Sequence, residues 1–490
     1  MTHSSIRSHI SAHGHQPVNL KYLLLYLPAA VAWIGTFDPV LSFASAWIGS
    51  WWILWVSMTG RVQPLPSDRT WAQQLFRPLF LSQVMFFGLF CLGPVFYMWD
   101  LTATGGAQMA VGNEIQRTAA AQRYYVLGHA AFVHGILLLM DYRRSGEWTL
   151  GLQIPLPKLF LYGVGGFLAA MVLFGALPGV GQFVIKFRDL FVVSALLACA
   201  YAVRRGHLPL AIPSALLCGY ILFEALLSGW KHQTILVVGL FLVLLYPKYK
   251  KTVIVGGSII VIAFVTLLPA YNSVFRDLNW SGNVEAQEAA QEAFDRVVSG
   301  EINVEAASWS FLEGRLSTVS LFTDYIQSIP DRNPYYGVSM VQQAMYSVIP
   351  RVLWPSKPNT EEVVMQRVLE NTYIRSSSSV SAKPLIVPDG YMAGGGVGVW
   401  VACFLLGCVA SIASRLAERW FGGYEVGGQL VYTGLFARNL FTSSFEFLFN
   451  ALLWSFVLMG VIAVGLWLAG VLLRESRSPS GRTLNAAVQT

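Results

Sequence analysis

The sequence predicts an all-α polytopic membrane protein with about 12 transmembrane helices and one large extracytoplasmic loop. Composition, run length and charge placement predict it. Hydrophobic residues make up 55% of the chain and charged residues only 12%, against roughly 45–50% and 25% in a soluble domain. The apolar residues fall in runs of roughly 18 to 22, the length that crosses a hydrocarbon core. Clusters of Lys and Arg recur at every second connection, as expected of a chain threaded back and forth. A length of 490 residues would otherwise suggest about three soluble domains, which the composition excludes.

The segment 1–19 is polar and carries His3, His9, His13 and His15. It lacks the charged-then-apolar pattern and cleavage site of a signal peptide, so the first helix is expected to stay in the mature protein. The histidines read as part of a disordered tail in preference to a metal site. Helices are expected near 20–37, 40–59, 79–99, 124–141, 159–178 and 189–203, then near 208–228, 234–247, 252–270, 392–413, 426–445 and 448–473. The chain thus divides into a tail (1–19), nine helices (20–270), the large loop (271–390), three helices (391–473) and a second tail (474–490). Positive charge clusters in 61–77, 142–158, 204–207, 248–251, 415–419 and from Arg474 onward. One orientation puts all of these, and both termini, in the cytoplasm. The other side receives 100–123, turns at 179–188 and 229–233, and the large loop. Lys186 and Arg188, in the first of those turns, run against the scheme.

A structureless loop of such length is uncommon, so the large loop is expected to have structure and function. Residues 284–298 are rich in helix formers and place Ala286, Ala290, Ala293, Phe294 and Val297 on one stripe. That pattern predicts an amphipathic helix lying on the membrane or on the loop body. A second helical stretch, 316–329, stops at Pro330, and the prolines of 346–358 forbid a regular helix there. The serines of 376–381 read as a mobile strip. Nothing repeats at a fixed period, so a solenoid is not expected.

The net charge of +7 sits in the topological clusters, so it is no polyanion groove and nucleic acid is not an expected partner. Cys91, Cys199, Cys218, Cys403 and Cys408 all fall inside apolar runs and read as packing residues. There is no nucleotide-binding glycine loop, zinc-type histidine pair or Gly-x-Ser-x-Gly nucleophile, so neither metal nor cofactor is expected. The Gly-rich string 394–398 opens a helix and reads as close packing. More informative are cations on the side usually poor in them: Lys231 and His232 in a tight turn, and Arg276, Arg315, Arg351 and Lys357 in the loop. Pointed at one cavity, they suit a pyrophosphate or other anion. The alternative is solvated loop charges, or pairs with Asp277, Glu313 and Asp389. Arg438 and Glu446, eight apart near the outer end of the eleventh span, read as a site or as a structural pair. His129, His134 and Glu224 read as interhelical hydrogen-bonding groups.

The turn SGWKHQTIL, with Lys231 and His232, leads into an apolar helix. It resembles the small-residue, basic turn of bacterial O-antigen and exopolysaccharide repeat-unit polymerases (Wzy-type). The stretch with Glu313 and Arg315 in EGRLS, a helix ending near Pro330, Tyr336–Gly337, and Arg351, Trp354 and Lys357 in IPRVLWPSKP is similar to that family in order and content. DGYMAGGGVGVW resembles the family's segment in which an acidic residue precedes an aromatic and a Gly-rich helix start. Many relatives carry Glu where this chain has Asp389. The similarity covers roughly 220–470 and implies the GT-C-like fold of multi-spanning glycosyltransferases with lipid-linked donors, in the bacterial inner membrane. It also implies the reaction, transfer of a growing glycan from undecaprenyl pyrophosphate to a new lipid-linked repeat unit at the periplasmic face.

The partners implied are the undecaprenyl-pyrophosphate-linked oligosaccharide, membrane lipids, and chain-length regulator and flippase proteins. With pyrophosphate leaving, Arg315, Arg351, Lys231 and Arg438 are the expected stabilising cations, with Arg276 and Lys357 beside them. Asp389, Glu313 or His232 would serve as base for the acceptor hydroxyl. Trp354 and Tyr336, like Trp280, Trp309 and Tyr335, would stack on sugars or anchor at the interface. The nearest rival reading is an O-antigen-type ligase. A polyprenyl-glycan flippase, the rival from another class, would show a midplane site of broken helices in paired halves.

Overall fold

The computed structural model describes residues 20–475 apart from 106–108, 143–145, 151–155, 175–180, 228–230, 280–283, 315–317, 352, 375–381 and 442–443. Arg315, Trp280 and the serine strip 376–381 therefore lie outside the described residues. Helix α1 (Leu23–Ile34) turns back into α2 (Pro39–Met58), whose start is set locally. The Asp38 carboxylate accepts from the N–H groups of Val40 and Leu41, and Pro39 takes the first helical position. Helix α3 (Leu81–Phe86) widens into a π-helical stretch, Phe87–Leu92, just before α4 (Pro94–Gly105). Pro94 offers no N–H to the preceding turn, which accounts for the slack. Then come α5 (Met109–Leu138), strand β1 (Trp148–Leu150), α6 (Leu156–Phe174), α7 (Gly181–Arg205), α8 (Leu208–Leu227), α9 (Lys231–Leu245) and α10 (Lys250–Asn279).

The large loop is folded into short helices: α11 (Ala286–Val298), α12 (Val304–Gly314), α13 (Val319–Ser328), α14 (Val338–Val348) and α15 (Thr360–Asn371). Helix α16 (Ile386–Trp420) returns through the bundle. A π-helical stretch (Tyr424–Tyr432), a single turn α17 (Thr433–Leu435) and a 3-10 turn (Ala437–Asn439) lead to α18 (Phe445–Leu468) and strand β2 (Leu472–Arg474). Each expected run contains helix. Among the described residues, seven helical segments are long and apolar enough to cross a membrane: Leu20–Phe37, Pro39–Met58, Leu81–Ala103, Leu208–Leu227, Lys250–Asn279, Ile386–Trp420 and Phe445–Leu468. Their outward residues, such as Leu216, Ile259 and Val461, are exposed, as a hydrocarbon-facing belt must be.

The largest helix contact is between α5 and α16. A Cβ on Gly407 would lie 2.1 Å from the Phe132 carbonyl oxygen, and one on Gly135 would lie 2.2 Å from that of Phe404. Backbone therefore meets backbone, and only glycine fits on either helix. Around this crossing lie Phe86, Phe90, Tyr125, Phe132 and Phe441, all buried.

Boundaries move where a helix carries polar residues past its apolar part. Helix α5 begins at Met109, not near 124, and its extension holds an i,i+3 pair, Arg117–Glu114, at 3.1 Å. Helix α7 begins at Gly181, so Lys186 and Arg188 are helical and not in a turn. Lys231 and His232 likewise open α9, and Asp389 lies in α16. The expected eleventh span, 426–445, is no regular helix. Its irregular backbone is tolerated because it is enclosed by protein, with Tyr432, Leu435, Phe436 and Ala437 all buried. Helix α11 buries Ala289 and Ala293 against Val274 and Phe275 of α10. Phe294, on the expected apolar stripe, is 61% exposed and lines an apolar cavity with Phe223 and Leu267. Helix α14 continues to Val348, so the irregular stretch expected from Tyr346 starts only after Val348.

Contacts sort the connections to two ends. At one end, Arg77 bonds Asp68 and Glu418, Arg419 pairs with Glu147 at 2.6 Å, β1 pairs antiparallel with β2, and Lys248 donates to the Arg204 carbonyl. These are the connections rich in Lys and Arg. At the other end the loop helices form a cap. Trp309 donates to Asp100 (3.1 Å) and Thr323 to Glu114 (2.7 Å), which ties α12 and α13 to α4 and α5.

Candidate functional site

Helix α15 fastens the cap to the bundle. Asn359 caps it by accepting from the Glu361 N–H, and Glu361 and Glu362 in its first turn complement the helix dipole. Its buried stripe is Val364, Arg367, Val368 and Asn371, the i, i+3, i+4, i+7 spacing of one helix face. A cation on that stripe must find anions, and Arg367 does. It is 3% exposed. Its guanidinium donates to the Glu446 oxygens at 2.7 and 3.2 Å, to Asp389 at 3.3 Å and to Gln343 at 3.2 Å. The second Asp389 oxygen accepts from the Phe445 N–H at 2.7 Å, at the start of α18. One side chain thus ties α15 to α16 and α18. Burial by itself would push the Arg367 guanidinium down; Asp389 and Glu446 outweigh it and hold it above its ordinary value. The Tyr325 hydroxyl nearby is raised by burial and by Asp389.

From this triad a hydrogen-bonded chain runs outward. The Asn371 amide donates to the Arg367 carbonyl (2.9 Å) and to the Tyr336 hydroxyl (2.8 Å), and Tyr336 donates to Glu370 at 3.1 Å. Ser328 and Asn333 donate to the Asn371 side-chain amide oxygen Oδ1 at 2.8 and 3.0 Å. Tyr336 is placed by backbone: its N–H and that of Gly337 donate to the Met392 and Ala393 carbonyls at 2.9 Å each. Those carbonyls stand at a kink in α16, where Gly395 has a φ of +61° that disfavours side chains. Tyr391 donates to the Ile329 carbonyl from the same helix at 2.7 Å. The chain ends at the surface on the Glu370 carboxylate, whose other oxygen accepts from the Gln366 amide at 3.0 Å. Burial raises the Tyr336 hydroxyl, and its bond to Glu370 adds to the effect. An exposed carboxylate hydrogen-bonded to a tyrosine, backed by fixed charges, can orient a hydroxyl and take its proton.

The structure brings together Tyr336, Asp389 and Glu446 among the residues singled out from the sequence. Asp389 is fully buried, with one oxygen on Arg367 and the other on the Phe445 N–H, and so is closed to solvent. Arg351 and Lys357 fold the proline-rich segment onto itself: Arg351 donates to the carbonyls of Lys357 and Pro358, and Lys357 to those of Ser347 and Ile349. Burial and Arg351 lower the Lys357 ammonium. Trp354 packs edge-on to Tyr346 and donates to Ser356. Glu313 ends α12, its carboxyl raised by burial and by Asp100. Arg276 lies in the last turn of α10. Arg315 and the side chains of Lys231 and His232 lie outside what is described.

Arg438 and Glu446 are not partners. Arg438 pairs with Asp189, while Glu446 pairs with Arg367, because the chain between them is not a continuous helix. The interhelical bonds expected of the membrane histidines are present, His134 with Tyr26 at 2.9 Å and His129 with Gln83 at 3.3 Å. Glu224 bonds Arg188 at 3.1 Å. Sequence reading passed over Arg367, Glu370 and Asn371. The signal was present: an arginine on an apolar stripe of a well-capped helix marks a buried ion pair.

Fold and site together define an all-α membrane protein with a folded cap clamped over one end of its bundle. The chain belongs to the family described as domain of unknown function DUF8712, whose model matches residues 27–474. No curated protein and no solved structure matches it.

Proposed function

We propose that the protein is a polysaccharide polymerase of the inner membrane, crossing it about 12 times, with the cap in the periplasm and both termini in the cytoplasm. The observation that supports this best is the cap junction, where a buried Arg367–Asp389–Glu446 triad stiffens a polar network that surfaces at Tyr336 and Glu370, beside an apolar bundle. A substrate with a lipid end and a sugar end needs both surfaces at once. Orientation follows from the Lys and Arg clusters at the end opposite the cap.

In the reaction, the bond between the donor's anomeric carbon and its pyrophosphate oxygen breaks as the acceptor hydroxyl oxygen bonds to that carbon. The hydroxyl proton passes to a base, and polyprenyl pyrophosphate leaves as the anion. Glu370, oriented by Tyr336 and Asn371, is the base in this reading. Arg315 and Arg351 stabilise the leaving charge, with Lys357 holding the Arg351 segment in place; Arg351 keeps N–H donors to spare beyond its two carbonyls. Exposed Tyr335, Tyr346 and Tyr373 offer faces for sugar rings. Among the described residues, the interrupted segment after Tyr432, the π-helical stretch Phe87–Leu92 and the kink at Gly394 and Gly395 are the broken helices that favour a flippase instead.

Polymer ladders in cells lacking the native protein test the reading. Glu370→Gln and Arg351→Ala, at normal membrane abundance, should each slow chain formation on the order of 10² to 10³-fold. Full-length polymer from both variants would remove these residues from the reaction.

A further inference from the structure

Away from the cap junction, a second set of charges lies inside the bundle. Lys186 and Asp189 are three residues apart on α7 and share a face. Arg438 reaches them from the 3-10 turn Ala437–Asn439 and pairs with Asp189. The approach is close because α17 packs on α7: a Cβ on Gly434 would lie 2.9 Å from the Leu190 side chain. Phe183 meets Trp454 edge-on at 5.3 Å and ties the same part of α7 to α18. Lys186 is 7% exposed and Asp189 5%, while the Arg438 side chain is 27% exposed and marks the way in.

The charges do not balance. Asp189 is matched by Arg438, and Arg188 by Glu224 at 3.1 Å, so Lys186 is left over. Its ammonium is buried with no hydrogen-bond partner. A lysine in that state is costly at membrane depth and marks a site by default. A net positive cluster repels cations, so neither a metal ion nor a proton path through Asp189 suits it. An anion suits it, with the ammonium as a point charge and the exposed part of the guanidinium as a second donor. Lys186 stands only about 8 Å along α7 from Gly181, at the end of the helix away from the basic last turn of Arg204 and Arg205 and so on the side of the bundle that carries the cap.

We infer that Lys186 and Arg438 form a binding site for the phosphate of a membrane lipid, set between α7 and the interrupted segment before α18. The site stands on the charge count and the packing. Only the choice of a polyprenyl pyrophosphate as its lipid rests on the transferase reading.

The test uses the detergent-purified full-length protein and native mass spectrometry with polyprenyl pyrophosphate, phosphatidylglycerol, phosphatidylcholine and soluble pyrophosphate as separate probes. Lys186→Met should weaken binding of the anionic lipids on the order of 10 to 100-fold, leave phosphatidylcholine unchanged, and raise or leave unchanged the thermal midpoint, since it removes an unpartnered buried charge. Lys186→Arg should retain part of the affinity. Preference of wild type for the prenyl lipid identifies the carrier lipid of the glycan substrates, equal binding of both anionic lipids identifies bulk phospholipid, and competition by soluble pyrophosphate shows that the headgroup is read without its chain. Equal lipid binding by wild type and Lys186→Met, or loss of folding in Lys186→Met, overturns the site. Lipid binding without glycan transfer leaves the site standing and removes the transferase reading; transfer at full rate by Lys186→Met, with its lipid binding weakened, leaves the site standing as one for bulk phospholipid and removes the polyprenyl pyrophosphate from it.

Discussion

Arg367 carries the most consequence of any side chain in the cap. Replacing it by Ala leaves two carboxylates buried without their cation, a loss of about 3–5 kcal/mol when a buried pair is broken from one side. The triple replacement Arg367→Met, Asp389→Asn, Glu446→Gln removes the charges together and should recover most of that loss. Thermal unfolding in detergent measures both, and equal destabilisation of the two proteins would show that the charges are not what clamps the cap. Tyr336→Phe deletes one hydroxyl that both accepts and donates, so it should cost about 1 kcal/mol and slow transfer far more than it lowers the unfolding midpoint. A rate unchanged at matched abundance would detach Tyr336 from the chemistry. Sequence reading found Asp389, Tyr336 and the proline-rich basic segment, because each departs from its surroundings in charge or composition. Which anion meets which cation depends on contacts across 22 to 79 positions of sequence. No spacing rule reaches that far, and the structural pair that the spacing of Arg438 and Glu446 allows does not form: each has a different partner.

Helices were legible where apolar runs were long, as for α2, α8 and α18, and less so where polar residues extend them, as in α10, which runs on to Asn279 past the expected end at 270. The thirty-residue α5 was read as half its length because Glu114, Arg117 and Arg123 interrupt the apolar pattern while leaving helix propensity intact. The eleventh span was misread for the opposite reason. Its hydrophobicity suffices, but glycines and tight packing on α7 and α16 replace the regular helix with π, α and 3-10 turns, and hydropathy does not see backbone geometry. The α5–α16 crossing gives the sharpest prediction here. Gly407→Val and Gly135→Val each place a side chain on a facing carbonyl, so both should abolish accumulation of folded protein. Gly460→Ala, at a position with open space, should be neutral. Accumulation followed by size-exclusion chromatography of a fluorescent fusion separates these outcomes, and a monodisperse Gly407→Val peak would contradict the close crossing.

The molecule as a whole is a bundle with unlike ends, one fastened by Arg77, Glu418, Glu147 and Arg419, the other covered by α11 to α15. That the alternating basic connections gather at the first end is the part of the architecture most fully readable beforehand, since orientation follows charge. Cysteines placed at Ser299 and Lys251 should be labelled from opposite sides of the inner membrane, Ser299 by an impermeant maleimide in cells with only the outer membrane opened and Lys251 after full permeabilisation. Labelling of both under the first condition would break the two-ended arrangement. The cap, the triad and the lipid-phosphate cluster acquire a common purpose only if a lipid-linked glycan is the substrate. The decisive measurement is therefore made on the purified protein in liposomes, with lipid-linked repeat units as the sole source of sugar. Products of two and more repeats should appear, with one polyprenyl pyrophosphate released for each new linkage and no sugar nucleotide present. Repeat units left unextended, or extended only when a sugar nucleotide is added, would contradict the account.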